Sequence, residues 1–338
     1  MLKCKKLLAA SFILVCSFML ASCAHAKTFT MKLGTIEPPA SPKMVGMEKF
    51  KELVEKKTNG EVKVKIFPSS QLGSAREMIE ATQIGTEEAT LTTSSNLIGF
   101  ESALSILDLP FVFPSRESCY RVIDSKFGVD LLKTLEDSGL VGLGWWDSGF
   151  KQLTLNSEIS GLKSFKGKKI RVMESPILIA QYEAMGCSAT PINYHELYNS
   201  LQQGVVDGQE NPIASIYEMK FYEVQKCITI SDHAYLPLVM AVNKKWFYTL
   251  PVQHQKALYE ASAEAATFLR KYQADLEFSK FVPAMEKSGI KVVYLTEAQK
   301  KEFSDAIKDK TRAALVKMLD DRGKKLLAEF DEVLEAVK

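Results

Sequence analysis

Between Pro251 and Pro283 the chain carries neither proline nor glycine, and Leu258, Ala261, Ala265, Leu269, Tyr272 and Leu276 recur there at helical spacing. A single helix of about 30 residues, rising about 1.5 Å each, reaches roughly 45 Å, whereas a small domain is roughly 30 Å across. A straight helix of that length lies across two bodies rather than inside one. The chain has 338 residues, enough for about two domains with full cores. Two lobes backed by one helix is the organisation this implies.

The remaining pattern is α/β. Phe29, Met31 and Leu33 alternate with Thr30 and Lys32 as a half-buried strand does, and Ser41 with Pro42 suits a helix start. Met44, Met47, Phe50, Leu53 and Val54 then share one face, Gly60 ends the helix, and Val62, Val64 and Ile66 alternate again. Strand, helix, strand feeds a parallel sheet through a right-handed crossover. A capping box at Ser74 and Glu77 opens the next helix, and strands follow at 89–93 and 140–146. Near Ser148 and Gly149 the rhythm restarts with a strand at 169–173, a helix opened by Ser175 and Pro176, and a helix at 194–204. A strand at 236–243 returns to the first set, and the tail, with Thr296 to Gln299 opening its helix, is expected on the second. The lobes are therefore placed at 27–148 with 237–275, and at 149–236 with 276–338.

Composition excludes several classes. Hydrophobic residues are 46% and charged residues 25% of the chain, ordinary globular usage. The formal charge is only +2, so no nucleic-acid footprint exists. Lys3, Lys5 and Lys6 precede an apolar run from Leu7 to Ala21, the form of an export signal at 1–26. Ala24-His25-Ala26 fits cleavage after Ala26, giving a free periplasmic protein; Leu20-Ala21-Ser22-Cys23 fits the alternative, a lipid anchor on Cys23. Beyond the leader, Cys119, Cys187 and Cys227 are scattered and read as buried thiols. His195-Glu196 begins like a zinc-protease helix, but Asn199 stands where the second histidine is needed. Ser160 to Lys163 matches S-x-x-K only by composition, with Gly161 marking a loop, and no phosphate-cradling glycine motif occurs. No catalytic residue, metal or cofactor is expected.

One residue resists a bland explanation. Arg171 lies between Ile170 and Val172 in a predicted strand, and a buried charge without a partner costs roughly 3–5 kcal/mol. Its counter-ion is either a carboxylate of the chain, such as Glu174 or Glu210, or an exogenous acid gripped by the guanidinium fork.

Gly167-Lys168-Lys169-Ile170-Arg171-Val172, Ala189-Thr190-Pro191, Glu196-Leu197-Tyr198 and the string from Gln202 to Pro212, which holds Val206-Asp207-Gly208-Gln209-Glu210-Asn211-Pro212, carry a specific resemblance. So do Pro68 to Gly73 and Lys220 to Val224. Together they resemble the DctP-like solute-binding proteins of tripartite ATP-independent periplasmic (TRAP) transporters, over nearly the whole chain after the leader. The resemblance implies an α/β two-lobed periplasmic binding protein, type II-like, with a hinge and a lobe-bridging helix. It also implies a small carboxylate ligand, a C4-dicarboxylate, sugar acid or 2-oxo acid, delivered by a monomer to integral membrane permease subunits. In that frame Arg171 grips the carboxylate and Asn211 adds an amide hydrogen bond. Lys151 stands where the family usually has arginine, and either touches ligand or pairs with an acid. Thr93 and Ser94 fall at first-lobe contact positions, Tyr194 at an aromatic wall, and Glu174 either orients Arg171 or meets ligand hydroxyls. Trp145 and Trp146 point to opposite strand faces, with Trp146 assigned to the cleft. The alternatives are a receptor for an ATP-driven importer or sensor, and a secreted enzyme acting on a sugar acid.

Overall fold

The computed structural model describes residues 28–337, so the leader, its cleavage site and Cys23 lie outside the described residues. Nine strands join in one sheet: β1 (Phe29–Thr35), β2 (Val62–Phe67), β3 (Ala89–Thr93), β4 (Leu140–Leu155), β5 (Lys169–Val172), β6 (Ser188–Pro191), β7 (Gly208–Pro212), β8 (Cys227–Asn243) and β9 (Lys291–Tyr294). Their order is β2-β1-β3-β8-β4-β7-β5-β6, with β9 added against β8.

The two longest strands decide the architecture. One end of β8 pairs β3 and the start of β4, while its other end pairs β9 and the end of β4. Both strands therefore run from one lobe into the other, and the sequence-expected strands at 140–146 and 236–243 are only their first-lobe halves. The β4–β8 register shifts between Gly142 and Trp145, Asp147 and Phe150, and Lys151 and Leu153. Bulges of this kind let paired strands bend where the lobes meet.

Each lobe buries its part of the sheet on both faces. In the first, helix Pro42–Lys57 and the long helix cover one side, packing Phe50, Trp146 and Leu269 together. Helices Arg116–Ile123, Lys126–Lys133 and Asp321–Val337 cover the other, around Phe127, Trp145 and Phe330. In the second lobe Ile170, Val172, Tyr182 and Phe303 form one core and Leu197, Ile213, Phe221 and Met285 the other.

The long helix spans Val252–Leu276, continues through a π-helical stretch Glu277–Phe281, and runs on as Val282–Lys287. Leu258, Ala261, Ala265 and Leu269 belong to a first-lobe core, while Phe281, Val282 and Met285 belong to a second-lobe core. It does bridge the lobes. Pro283 does not end it, because the wider turn just before accommodates a ring that lacks an amide donor. Tyr272 lies off the buried face at 36% exposure, and Gln273 takes its place, donating to the Ser148 carbonyl at 2.7 Å.

One expectation for the tail is corrected. Helix Glu297–Met318 packs its Phe303 and Ile307 into the second lobe, but Leu326, Leu327 and Phe330 of Asp321–Val337 return to the first. The amphipathic pattern of a helix shows that it needs a partner surface, not which surface.

Candidate functional site

A cavity opens between the lobes, lined by Glu37, Arg76, Thr93 and Asn96 from the first and by Arg171, Tyr194 and Asn211, among others, from the second. Its strands explain the location. β1 and β3 are parallel, as are β5 and β7, and ligands of open α/β sheets sit beyond the carboxyl ends of such strands.

Arg171 sits on β5 opposite Thr190 of β6 and Gln209 of β7. Ile170 and Val172 point into one core, so alternation sends Arg171 to the other face. The residue is 3% exposed, and its Nε donates to the Ile192 carbonyl at 2.8 Å. Among the described residues, no carboxylate pairs with its guanidinium, and no group accepts from its two terminal nitrogens. Burial pushes the group down to about 10, with Tyr194 and Glu210 opposing that shift, so it stays charged at neutral pH. The guanidinium is a buried cation facing a cavity with its fork unused.

Asn211 shares that face, two residues on from Gln209, and also lines the cavity. Its Nδ2 donates to Gln209 Oε1, Gln209 Nε2 donates to Thr154 Oγ1 at 3.0 Å, and Thr154 donates to Gln225 at 3.1 Å. This amide relay holds Asn211 while leaving its carbonyl oxygen and a second N–H free.

Lys151 falls on the other side of the sheet. Gln152 is the residue of β4 opposite Asn211, so period-two alternation turns Lys151 away from the Arg171 face and towards Glu210. Its Nζ reaches Glu210 Oε1 at 2.7 Å, and both side chains are 1% exposed. Tyr182 and His233 complete the cage around Glu210 Oε2 at 2.7 and 2.8 Å. Burial alone would raise Glu210; the Lys151 charge and the His233 hydrogen bond overcome it and hold the carboxylate well below its usual range. Ligand contact by Lys151 is therefore corrected: the open alternative resolves to a pair with an acid.

The other expected residues divide. Thr93 lines the cavity, caps the short helix Ser94–Leu97 through its hydroxyl, and lies 3.7 Å from Met173 Sδ across the cleft. Ser94 is fully buried, makes no side-chain hydrogen bond and does not reach the cavity, because the next residue after a strand end turns into the helix. Tyr194 lines the cavity with its hydroxyl buried beside Ser215, making no hydrogen bond of good geometry. Glu174 stands at the rim, its side chain 61% exposed, 3.7 Å from Arg76. Trp146 is 0% exposed in the first-lobe core, and its Nε1 donates to Ser262 at 3.0 Å, which removes it from the site. Trp145 is buried too, because helices cover both faces of this sheet.

Sequence reasoning passes over a second polar group at the cavity floor. Glu37 follows β1 and lines the cavity; its Oε2 accepts from Lys43 Nζ at 3.0 Å and from Ser41 at 3.2 Å. Lys43 also donates to Ser215 of the second lobe at 3.0 Å, tying the lobes together. Glu218 is buried nearby, and burial, aided by Glu37 and opposed by Lys43, pushes it up to about 8. The usable signal for Glu37 is its place just beyond the carboxyl end of a parallel strand. A second link joins the lobes at Asp108, which accepts from Ser95 and from Ser175, each at 2.6 Å.

Where β4 changes lobe, Asp147 binds Arg116 at 3.1 Å and Tyr120 at 3.0 Å, and Arg116 also pairs with Glu277 of the π-helical stretch. Gly149 has φ +103°, and a Cβ there would lie 2.8 Å from Glu277 Oε1. The crossing is polar, close-packed and glycine-dependent.

Comparison with known proteins adds to this geometry. Residues 33–317 match the family described as bacterial extracellular solute-binding protein, family 7. The 2,3-diketo-L-gulonate-binding periplasmic protein of Escherichia coli K12 is 34% identical over 290 residues, covering 86% of this chain and 87% of the relative. The C4-dicarboxylate-binding periplasmic protein of Rhodobacter capsulatus is 34% identical over 275 residues, covering 81% and 82%. A TRAP periplasmic solute-binding protein from Desulfovibrio salexigens, solved with bound orotic acid, aligns with a TM-score of 0.90 at 36% identity, over 92% of this chain and all of that one.

Proposed function

Because the chain belongs to the bacterial extracellular solute-binding protein family 7, we propose that it is the receptor of a TRAP transporter, closing on a small organic acid anion and handing it to integral membrane permease subunits. The observation that carries this reading is the Arg171 guanidinium, buried, charged, unpaired and facing the interlobe cavity. A planar fork of parallel donors matches a carboxylate, and the relatives with stated ligands bind organic acids. Asn211 supplies the accompanying amide, and Thr93, Tyr194 and Glu174 shape the rest of the wall. Among the described residues, no helix is long and apolar enough to cross a membrane.

Closure follows from differential affinity. A ligand that touches Arg171 on one lobe and Glu37 or Thr93 on the other makes its full set of contacts only when the lobes meet, so binding shifts the population towards the closed form. Strands β4 and β8 and the π-helical stretch form the hinge. A thermal-shift screen of organic acids identifies binders, since binding to the native state raises its melting point. In calorimetry with such a binder, Arg171→Ala lowers affinity roughly 30- to 5,000-fold, the equivalent of about 2–5 kcal/mol for truncating one side of a buried charge pair. Unchanged affinity in the variant would overturn the assignment.

A further inference from the structure

We propose that the cavity selects monocarboxylates whose far end donates hydrogen bonds, and that Glu37 is the residue that excludes dicarboxylates; this rests on Arg171 being the carboxylate clamp. The first support is a charge balance around the cavity. Its titratable lining groups are Glu37, Arg76, Arg171, Glu174, His195 and Tyr194. Arg76 is flanked by Glu80 at 2.9 Å and Glu174 at 3.7 Å. His195 is half-exposed, 3.8 Å from Glu196. Glu37 is matched by Lys43. Among the described residues, Arg171 is the lining arginine without a carboxylate partner, so a first ligand carboxylate finds an unmatched cation and a second finds none.

The second support is the arrangement of free polar atoms. Both hydrogen bonds to Glu37 fall on Oε2, while Oε1 accepts none. An ionised carboxylate can only accept, so the partner that completes Oε1 is an O–H or N–H of the ligand. The Tyr194 hydroxyl, buried beside Ser215, lines the same cavity within electrostatic reach of both Glu37 and Arg171. A second ligand carboxylate brought to Glu37 sets acceptor against acceptor at Oε1 and brings no proton to share. A site built to bond a donor rejects the analogue that lacks it far more strongly than a greasy pocket rejects an extra methylene.

Matched probes test this on the mature full-length protein. D-Galactonate and galactarate differ only in a terminal hydroxymethyl against a carboxylate, and so do D-erythronate and meso-tartrate. Calorimetric titration of the wild type is expected to show each aldonate binding at least about tenfold tighter than its aldarate. Glu37→Gln, with its fold checked by thermal melting, is expected to shrink that ratio at least about tenfold. An aldarate that binds as tightly as its aldonate, or a ratio unmoved in Glu37→Gln, overturns this inference while leaving the clamp intact. Binding of none of the four probes by the wild type also overturns it, and needs no variant to fold. Failure of the clamp itself shows separately, as an Arg171→Ala protein that binds its ligand like the wild type.

Discussion

Lys151 and Arg171 stand on the two strands that flank β7, both buried, both cationic, and on opposite faces of the same sheet. Lys151 has its counter-ion within the chain, Glu210 at 2.7 Å, and that carboxylate is further held by Tyr182 and His233. Arg171 has a backbone carbonyl on Nε and nothing on its fork. The difference separates two uses of a buried charge. A cation satisfied by its own chain fixes a junction between strands, whereas a cation left unmatched beside a cavity stores attraction for an anion arriving from outside.

The sharpest way to break this contrast is to remove the structural cation. Lys151→Met strands Glu210 in the core and is expected to cost about 3–5 kcal/mol of stability in urea melts, with acid affinity of the folded protein nearly unchanged. A stable variant that loses binding would place Lys151 at the ligand and erase the distinction. Arg171→Lys comes next: it keeps the charge but loses the fork, so calorimetry is expected to show affinity roughly tenfold or more below wild type with little change in melting temperature. Equal affinity would show that Arg171 acts as a point charge, no different in kind from Lys151.

The smallest effect is one of pH. Glu218 is raised from 4.5 to about 8 by burial, so the folded chain keeps a proton that the unfolded chain releases in that window. Its contribution is fully present below pH 4.5 and is lost as pH rises through 8. Glu210 runs the other way, because its held-down carboxylate stabilises above pH 4.5 and stops doing so as pH falls. Glu277, raised to about 7 by burial, adds to the Glu218 trend, which makes a variant comparison necessary. Glu218→Gln is expected to melt like wild type at pH 5 and above it at pH 8. A constant offset across that range would show that Glu218 does not titrate there.

Much of the fold was legible because local pattern specified it. The strand–helix–strand opening, the capping boxes at Ser74 and Thr296, and the glycine-free run that became the bridging helix all depend on residues close in sequence. Arg171 was legible for the same reason: Ile170 and Val172 bury the strand, and a guanidinium between them needs an anion. Other readings failed where they needed distant information. Trp145 and Trp146 do face opposite ways, but both faces are covered, and no local signal tells a second core from a cleft. Pro283 ought to end a helix by backbone chemistry, yet a π-helical turn formed against the second lobe carries the chain past it.

The sequence by itself determined the α/β elements, the lobe-spanning helix and the presence of one buried arginine in want of an acid, since these follow from spacing and from the cost of burying charge. Only the tertiary structure decided which carboxylate each cation receives and which residues face the cavity. Those outcomes turn on strand register across β4, β7 and β5, and a shift of one residue in that register exchanges the faces on which Lys151 and Asn211 lie.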